Sequence, residues 1–182
     1  MWVLVLVGAA ALVVVLWQYN AIVSLRQLTR NAWADVDVYL KRRAELIPNL
    51  VAAVQAYAQH EQTALEKVME ARAKAIGMRE ATGERAETES QITSGVSRVL
   101  ALAESYPELK ASANFIQLQR ELIDTEKLIA HARQFYNACV RDFNTRIESF
   151  PGNLVAGVAG ARHMAFFEIE NLAERDVPGV GA

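Results

Sequence analysis

The sequence predicts an all-α protein in which an N-terminal transmembrane helix continues into an antiparallel, up-and-down bundle of long helices. Apolar residues recur at steps of three and four over most of the chain, which is the spacing of one helical face. With only 4 prolines and 9 glycines, long windows are free of helix breakers. No window after the N-terminal run is rich in strand-forming residues. These observations together favour helices throughout.

The N-terminal run from Met1 to Trp17 is apolar and contains no charged side chain. As a helix it would be roughly 26 Å long, close to the roughly 27–30 Å hydrocarbon core of a bilayer. Trp2 and Trp17 stand at its ends, where indole rings favour the headgroup boundary. A cleaved signal peptide fits less well, because no Lys or Arg precedes the apolar run. We therefore expect residues 1–18 to be an uncleaved anchor in the lipid bilayer.

The distribution of charged residues limits the expected membrane orientation and the expected partners. Arg26 and Arg30 follow the apolar run closely, so the positive-inside rule predicts an N-terminus outside and a main domain in the cytoplasm. The 19 basic and 21 acidic residues give a net charge of −2, without the basic excess of a nucleic-acid-binding protein. The lone cysteine, Cys139, excludes an intramolecular disulfide. Its place on an apolar helix face predicts a buried, unreactive thiol.

A helical bundle domain is expected over residues 19–149. Its first helix should continue from the anchor and be disturbed by Pro48, which predicts a kink or short break at Glu45–Asn49. The periodic pattern then resumes and fades at Gly77. An exposed turn is expected within the charged stretch Gly77–Ser90. A shorter helix should follow and end near Tyr106, with Pro107 opening the next helix.

The last helix has the clearest pattern, because aromatic and aliphatic residues recur every seven positions. This predicts a coiled-coil-like seam of about five repeats, on the order of 50 Å long. Pro151 should end the helix. The remaining residues, 150–182, contain glycines but are too apolar for a solvated tail. They are expected to cap their own bundle, or else to dock on a neighbouring subunit, a partner or the membrane surface. The seam consists of Phe115, Leu122, Ile129, Tyr136, Phe143 and Phe150.

Several strings resemble the LemA family of bacterial membrane proteins, in family order from residue 19 to residue 167. The resemblance implies a helical bundle tethered by an N-terminal helix to the bacterial inner membrane, with no established enzymatic activity. Family members often end in a Pro-x-Val-x-Phe pattern, whereas residues 178–182 read PGVGA and lack the aromatic residue. The strings are YNAIVSLR (19–26), NAWADVDVYLKRRAELIPNLV (31–51), YAQHE (57–61), NFIQLQREL (114–122), RQFYNACVRDFN (133–144) and FPGNLVAG (150–157).

No catalytic or metal-binding pattern stands out. His60 and Glu61 begin like a zinc-protease motif, but Ala64 occupies the position of the second histidine. The Glu-x-x-His pairs typical of di-metal bundles do not occur. We therefore expect no metal and no cofactor. Glu61 lies on the apolar stripe and should find a buried or half-buried partner, for which Arg72, Arg133 and His131 are candidates.

The sequence thus favours a non-enzymatic structural or scaffold protein of the cell envelope that forms homo-oligomers or binds another envelope protein. An accessory subunit of a membrane protease or transporter is the main alternative, and an enzyme with an unrecognised carboxylate-metal site is a weaker one. Arg43 is expected in an internal ion pair because it falls on the apolar stripe. The structural or interaction candidates are Arg43, Pro48, Asn49, His60, Glu61, Tyr136, Asn137, Phe150, Pro151, Asn153 and Leu154.

Overall fold

The computed structural model describes residues 1–168, apart from the side chain of Gln59. This part of the chain is helical and contains no β-strand, which confirms the predicted fold class. Ile169 and the divergent terminus at residues 178–182 lie outside the described residues. The helices are α1 (Trp2–Gln55), α2 (Gln62–Ile76), α3 (Gly83–Ala103), α4 (Pro107–Lys110), α5 (Ala113–Glu148) and α6 (Gly152–Ala156), with a 3-10 turn at Gln59–Glu61.

The described residues divide into two compact units. The first unit contains Met1–Val36 and His131–Phe166, so it combines the N-terminal part of α1 with the C-terminal part of α5 and with α6. The second contains Asp37–Ala130 and the described residues 167 and 168. The domain boundaries expected at residues 18 and 149 stay a prediction.

The core of the first unit lies where α1 and α5 pack together with α6. The buried members of this core are Ile22, Phe143, Ile147, Val155 and Ala156. In the same unit, the rings of Trp33 and Tyr136 lie 5.3 Å apart.

The core of the second unit draws on five helices, and its apolar members follow the spacing expected for helical faces. It is a continuous cluster that runs from Ile47 on α1 to Leu122 on α5. The other buried members are Leu50, Val54, Ala58, Leu65, Val68, Ala71, Ala75, Ile92, Val96, Val99, Ala103, Leu109 and Phe115.

The interruption predicted at Glu45–Asn49 is wrong, because α1 continues through Pro48 to Gln55. Proline has no N–H with which to bond the carbonyl four residues earlier, which here belongs to Ala44. Arg72 on α2 replaces that missing donor, with its Nε 2.5 Å from the Ala44 oxygen. The first helix ends only after Gln55, at a stretch with neither proline nor glycine. A long-range contact therefore preserves the helix where local propensity predicted a break.

Two further boundaries differ from the prediction. Only the first part of Gly77–Ser90 is a turn, because Thr82 caps α3 by accepting a hydrogen bond from the Arg85 N–H at 3.2 Å. Pro107 does open a helix, but that helix has four residues and the long α5 starts at Ala113. The seam is buried from Phe115 to Phe143, whereas its last member, Phe150, follows the end of α5 and is 79% exposed.

Candidate functional site

The second unit contains a row of ionic side chains from three helices, and the centre of the row is buried. Asp37, Lys41 and Arg43 come from α1, Arg85 and Glu89 from α3, and Glu126 from α5. Opposite charges alternate along this row, in the order Lys41, Asp37, Arg85, Glu89, Arg43 and Glu126. We call these six residues the ionic row.

Arg43 lies at the centre of the row and is fully buried. Its Nη2 is 2.5 Å from Oε2 of Glu89, and its Nη1 is 2.7 Å from Oε1 of Glu126. The same Nη1 donates to the Thr93 hydroxyl at 2.6 Å. The planar guanidinium can bind several acceptors in fixed directions, which a lysine could not do. The internal ion pair predicted for Arg43 is therefore present, and it links α1 to α3 and α5.

Glu89 joins the two buried arginines, since its Oε1 lies 3.7 Å from Nε of Arg85. Arg85 also binds Oδ1 of Asp37 at 2.6 Å, and Lys41 binds the other Asp37 oxygen at 2.6 Å. Removal from water is the largest influence on Asp37 and acts to raise its pKa. The hydrogen bonds and charges of Lys41 and Arg85 outweigh it, so the pKa of Asp37 is lowered.

The chemistry of the ionic row is that of a structural element. Its buried positive groups are guanidiniums, which only donate hydrogen bonds, and each carboxylate is held by at least one cation. Such a row can fix the register of three helices, because a one-turn slip would leave a buried charge without its partner. Among residues 1–168, no group of three or more His, Cys, Asp or Glu side chains is arranged to hold a metal ion.

The first unit holds a second arrangement, in which the tail after α5 folds back along α1 and α5. The Asn144 side chain binds the backbone of Met164 twice, accepting from its N–H at 3.0 Å and donating to its carbonyl at 2.9 Å. Tyr136 donates its hydroxyl to the Ala165 carbonyl at 3.0 Å. Arg26 donates to the Ala159 carbonyl at 2.7 Å. Side chains from both long helices thus hold the tail backbone.

The turn that starts the tail depends on two glycines. A Cβ on Gly152 would lie 2.1 Å from the Arg146 carbonyl oxygen, so only glycine allows this close approach. Gly160 has a φ of 57°, and the bonds from the Gly160 N–H to Gly157 O and from the Ala161 N–H to Ala156 O close a Schellman motif. The helical turn that begins at α6 therefore ends in a defined way at Gly160.

The tail buries only part of its apolar surface. Gly152, Val155 and Ala156 are buried, whereas the side chains of Phe150, Leu154 and Val158 are 79%, 69% and 84% exposed. One side of α6 is therefore covered by residues of α1 and α5. The opposite side stays apolar and uncovered within the described residues.

Comparison with known proteins agrees with this architecture. A model of the LemA family matches residues 32–181.

The chain belongs to the LemA family.

Protein LemA of Metamycoplasma hominis is 27% identical over 148 residues, which cover 81% of this chain and 68% of that protein. Magnetosome protein MamQ 2 of Paramagnetospirillum magneticum is 22% identical over 189 residues, covering 90% of this chain and 70% of the relative. MamQ of Magnetospirillum gryphiswaldense is 20% identical over 183 residues, covering 87% and 67%. None of these names describes an enzyme. The resemblance inferred from the sequence motifs is confirmed.

The structure brings few of the predicted site residues of this LemA family member into one place. Pro48 is half-buried and Asn49 exposed, while His60 is exposed in the 3-10 turn. Glu61 is half-buried beside it, and the salt bridges found among residues 1–168 do not include it. Its candidate partner Arg72 binds the Ala44 carbonyl instead.

The later candidates lie in the first unit, where α5 meets the tail. Tyr136 is buried, and removal from water raises the pKa of its hydroxyl. Asn137 and Pro151 are half-buried, while Asn153 and Leu154 are exposed with Phe150. Cys139 is buried as predicted, and burial raises the pKa of its thiol, with a smaller contribution from the charge of Asp142.

The sequence interpretation missed the partners of Arg43. Arg85 and Glu89 lie in the charged stretch within which the sequence predicts an exposed turn, yet both are 97% or more removed from solvent. A signal was present, because Arg85 and Glu89 continue the three- and four-residue spacing of Ile92, Val96 and Val99 towards the N-terminus. Charged residues on an apolar stripe indicate buried ion pairs when a matching charge lies on another stripe.

Proposed function

We propose that this LemA family member is a single-pass, non-enzymatic scaffold protein of the bacterial inner membrane that associates with itself. The observation that carries this proposal is the uncharged N-terminal part of α1. The helix has a mean hydropathy of 2.2 in its most apolar window, of which only 6% is buried. An exposed apolar surface of this length is unstable in water and matches the thickness of a bilayer.

The absence of a linker after the anchor supports a positioning role. Helix α1 continues from Trp2 to Gln55 without interruption. Backbone hydrogen bonds run without a break through the part of α1 in the first unit, so residues 18–36 continue directly from the anchor. A scaffold needs this property, because its surface must be presented at a defined height above the bilayer.

The contacts of the buried ionic side chains support a non-enzymatic role. The buried charges of the second unit bind one another in the ionic row, and the thiol of Cys139 is buried with a raised pKa. A catalytic acid, base or nucleophile must be accessible to the substrate. Metal analysis of the purified full-length protein should find no stoichiometric transition metal. One tightly held ion per chain would instead favour the alternative of a carboxylate-metal enzyme.

Self-association is supported by small residues in the anchor. Gly8 is followed by Ala9, Ala10 and Ala11, and a Cβ on Gly8 would meet no atom within 4 Å. Small residues let two membrane helices approach closely, which favours association by van der Waals packing. Mass photometry of the full-length protein in lipid nanodiscs or mild detergent should show dimers or larger species.

A matched pair of variants tests where the contact lies. Gly8→Ile should shift the distribution towards monomers, whereas Leu12→Ile, which keeps the side-chain volume, should not. A wild-type protein that is monomeric at all concentrations would contradict self-association. If the protein forms a stable oligomer that neither variant changes, the contact lies in the helical units and not in the anchor.

The orientation follows from Arg26 and Arg30, which are the first basic residues after the apolar run. The positive-inside rule gives an outside N-terminus and a cytoplasmic main domain. Protease added to intact spheroplasts should therefore leave the domain uncut, and should cut it once the membrane is opened. Cleavage in intact spheroplasts would reverse the orientation without affecting the anchor.

A further inference from the structure

The exposed side of α6 is apolar although it lies on the surface. Leu154 and Val158 lie four residues apart on one side of the helical turn that ends at Gly160, and the exposed Phe150 comes two residues before α6. We call these three residues the outer face of α6. The opposite side, with Val155 and Ala156, packs on Ile22 and Phe143. The turn thus has apolar residues on its covered side and also on its exposed side.

The contacts of Arg146 place α6 next to the end of the anchor. The Arg146 guanidinium lies 5.3 Å from the centre of the Trp17 ring, and its Nη1 donates to Gln18 at 3.3 Å. The Arg146 carbonyl touches Gly152, the first residue of α6. Because Val155 and Ala156 pack on Ile22, α6 lies within roughly 8 Å of Trp17 along the axis of α1.

This level corresponds to the headgroup region of a bilayer spanned by residues 1–17. Trp17 and Tyr19 are 60% and 42% exposed there, as expected for aromatic rings at a membrane boundary. Arg162, which follows the Schellman motif, is also exposed. Interfacial helices combine an apolar face, inserted by roughly 5–10 Å, with basic side chains near anionic headgroups.

We propose that the outer face of α6 inserts into the headgroup region of the bilayer that α1 spans. The occupant of this face is the lipid surface, because α6 lies within roughly 8 Å of Trp17 along α1, at the level of the headgroups, and a soluble partner would have to displace them to reach it. This inference rests on the proposed function, since it requires that residues 1–17 cross the membrane. This insertion gives the first unit a second contact with lipid in addition to the anchor. The second contact restrains the unit against tilting.

The test uses full-length protein in vesicles of phosphatidylcholine and phosphatidylglycerol. An environment-sensitive fluorophore is attached to Leu154→Cys, while the buried Cys139 stays unlabelled in the folded protein. Gln134→Cys is the matched control, because Gln134 is exposed on the same α5 that leads to the tail. It precedes Arg146 by roughly 18 Å along the helix. Quenching is measured with lipids spin-labelled near the headgroup and with iodide in the water.

We expect the fluorophore at position 154 to emit at shorter wavelength and to be quenched by the spin-labelled lipid. Its iodide quenching should be several times weaker than that of the fluorophore at position 134. Equal iodide quenching at both positions, with the protein still in the vesicle, would overturn the inference and leave the anchor intact. Shielding at position 154 without lipid quenching would mean that a second copy or another protein covers the face, which also overturns it. Protein that does not stay with the vesicles would overturn the proposed function itself.

Discussion

Replacing Glu89 with glutamine removes the negative charge between two buried arginines. The Glu89 carboxylate is 3% exposed, with Arg43 at 2.5 Å and Arg85 at 3.7 Å. Breaking a buried ion pair by removing one partner costs about 3–5 kcal/mol, because the remaining charge is left uncompensated. Arg43 keeps Glu126 and Arg85 keeps Asp37, so we expect a loss of about 3 kcal/mol in the free energy of unfolding, at the lower end of that range.

The measurement is thermal unfolding of the full-length protein in mild detergent, followed by far-UV circular dichroism. For a chain of this size a loss of about 3 kcal/mol lowers the melting temperature by roughly 6–12 °C. Glu126→Gln should lower it less, because the Glu126 side chain is 30% exposed and water compensates part of the lost charge. Glu87→Gln is the matched control, since it makes the same chemical change at an exposed position of the same helix.

The expected order of destabilisation is therefore Glu89→Gln, then Glu126→Gln, then Glu87→Gln with almost no effect. Equal melting temperatures for Glu89→Gln and Glu87→Gln would refute the reasoning. The buried Glu89 charge would then contribute no more to the free energy of unfolding than an exposed charge does. A larger loss for Glu126→Gln than for Glu89→Gln would show that burial does not decide the cost.

Three further predictions concern the tail and the Asp37 carboxylate of the ionic row. Gly152→Ala should lower the melting temperature by an amount equivalent to about 1–3 kcal/mol, since the new Cβ meets a backbone oxygen at 2.1 Å; Gly157→Ala, with open space around it, should not, and equal effects would contradict the close approach. Because the folded-state pKa of Asp37 is lowered, its contribution to stability is complete above its unfolded pKa of about 3.9 and is lost as the pH falls through the folded value. Asp37→Asn should therefore lose less melting temperature than wild type on acidification below about pH 5, with the exposed Asp35→Asn as control; parallel pH profiles for all three proteins would count against it. Truncation after Ser149 removes the buried Val155 and the partners of Asn144, so it should clearly destabilise the first unit, and an unchanged melt would show that the folded-back tail contributes nothing.

Features that depend on neighbours along the chain could be predicted from the amino-acid sequence. The uncharged run of residues 1–17 indicates an apolar helix of membrane length, because hydropathy and length are local properties. The heptad seam from Phe115 to Phe143 predicted which side of α5 is buried, since a helix places every seventh residue on nearly the same side. The burial of Arg43 followed from its place on an apolar stripe, for the same reason.

Contacts between residues far apart in the chain could not be predicted in this way and are seen in the packed helices. Arg43 binds Glu89 and Glu126, which lie 46 and 83 positions away, and no spacing rule selects a carboxylate at such distances. The same limit explains the wrong break at Pro48, because the Ala44 carbonyl receives its hydrogen bond from Arg72, 28 positions later. The tail also shows it, since composition predicted that residues 150–168 need burial but not which side of α6 would obtain it. A helix fixes the direction of each side chain from local geometry, whereas its partners depend on how the helices pack.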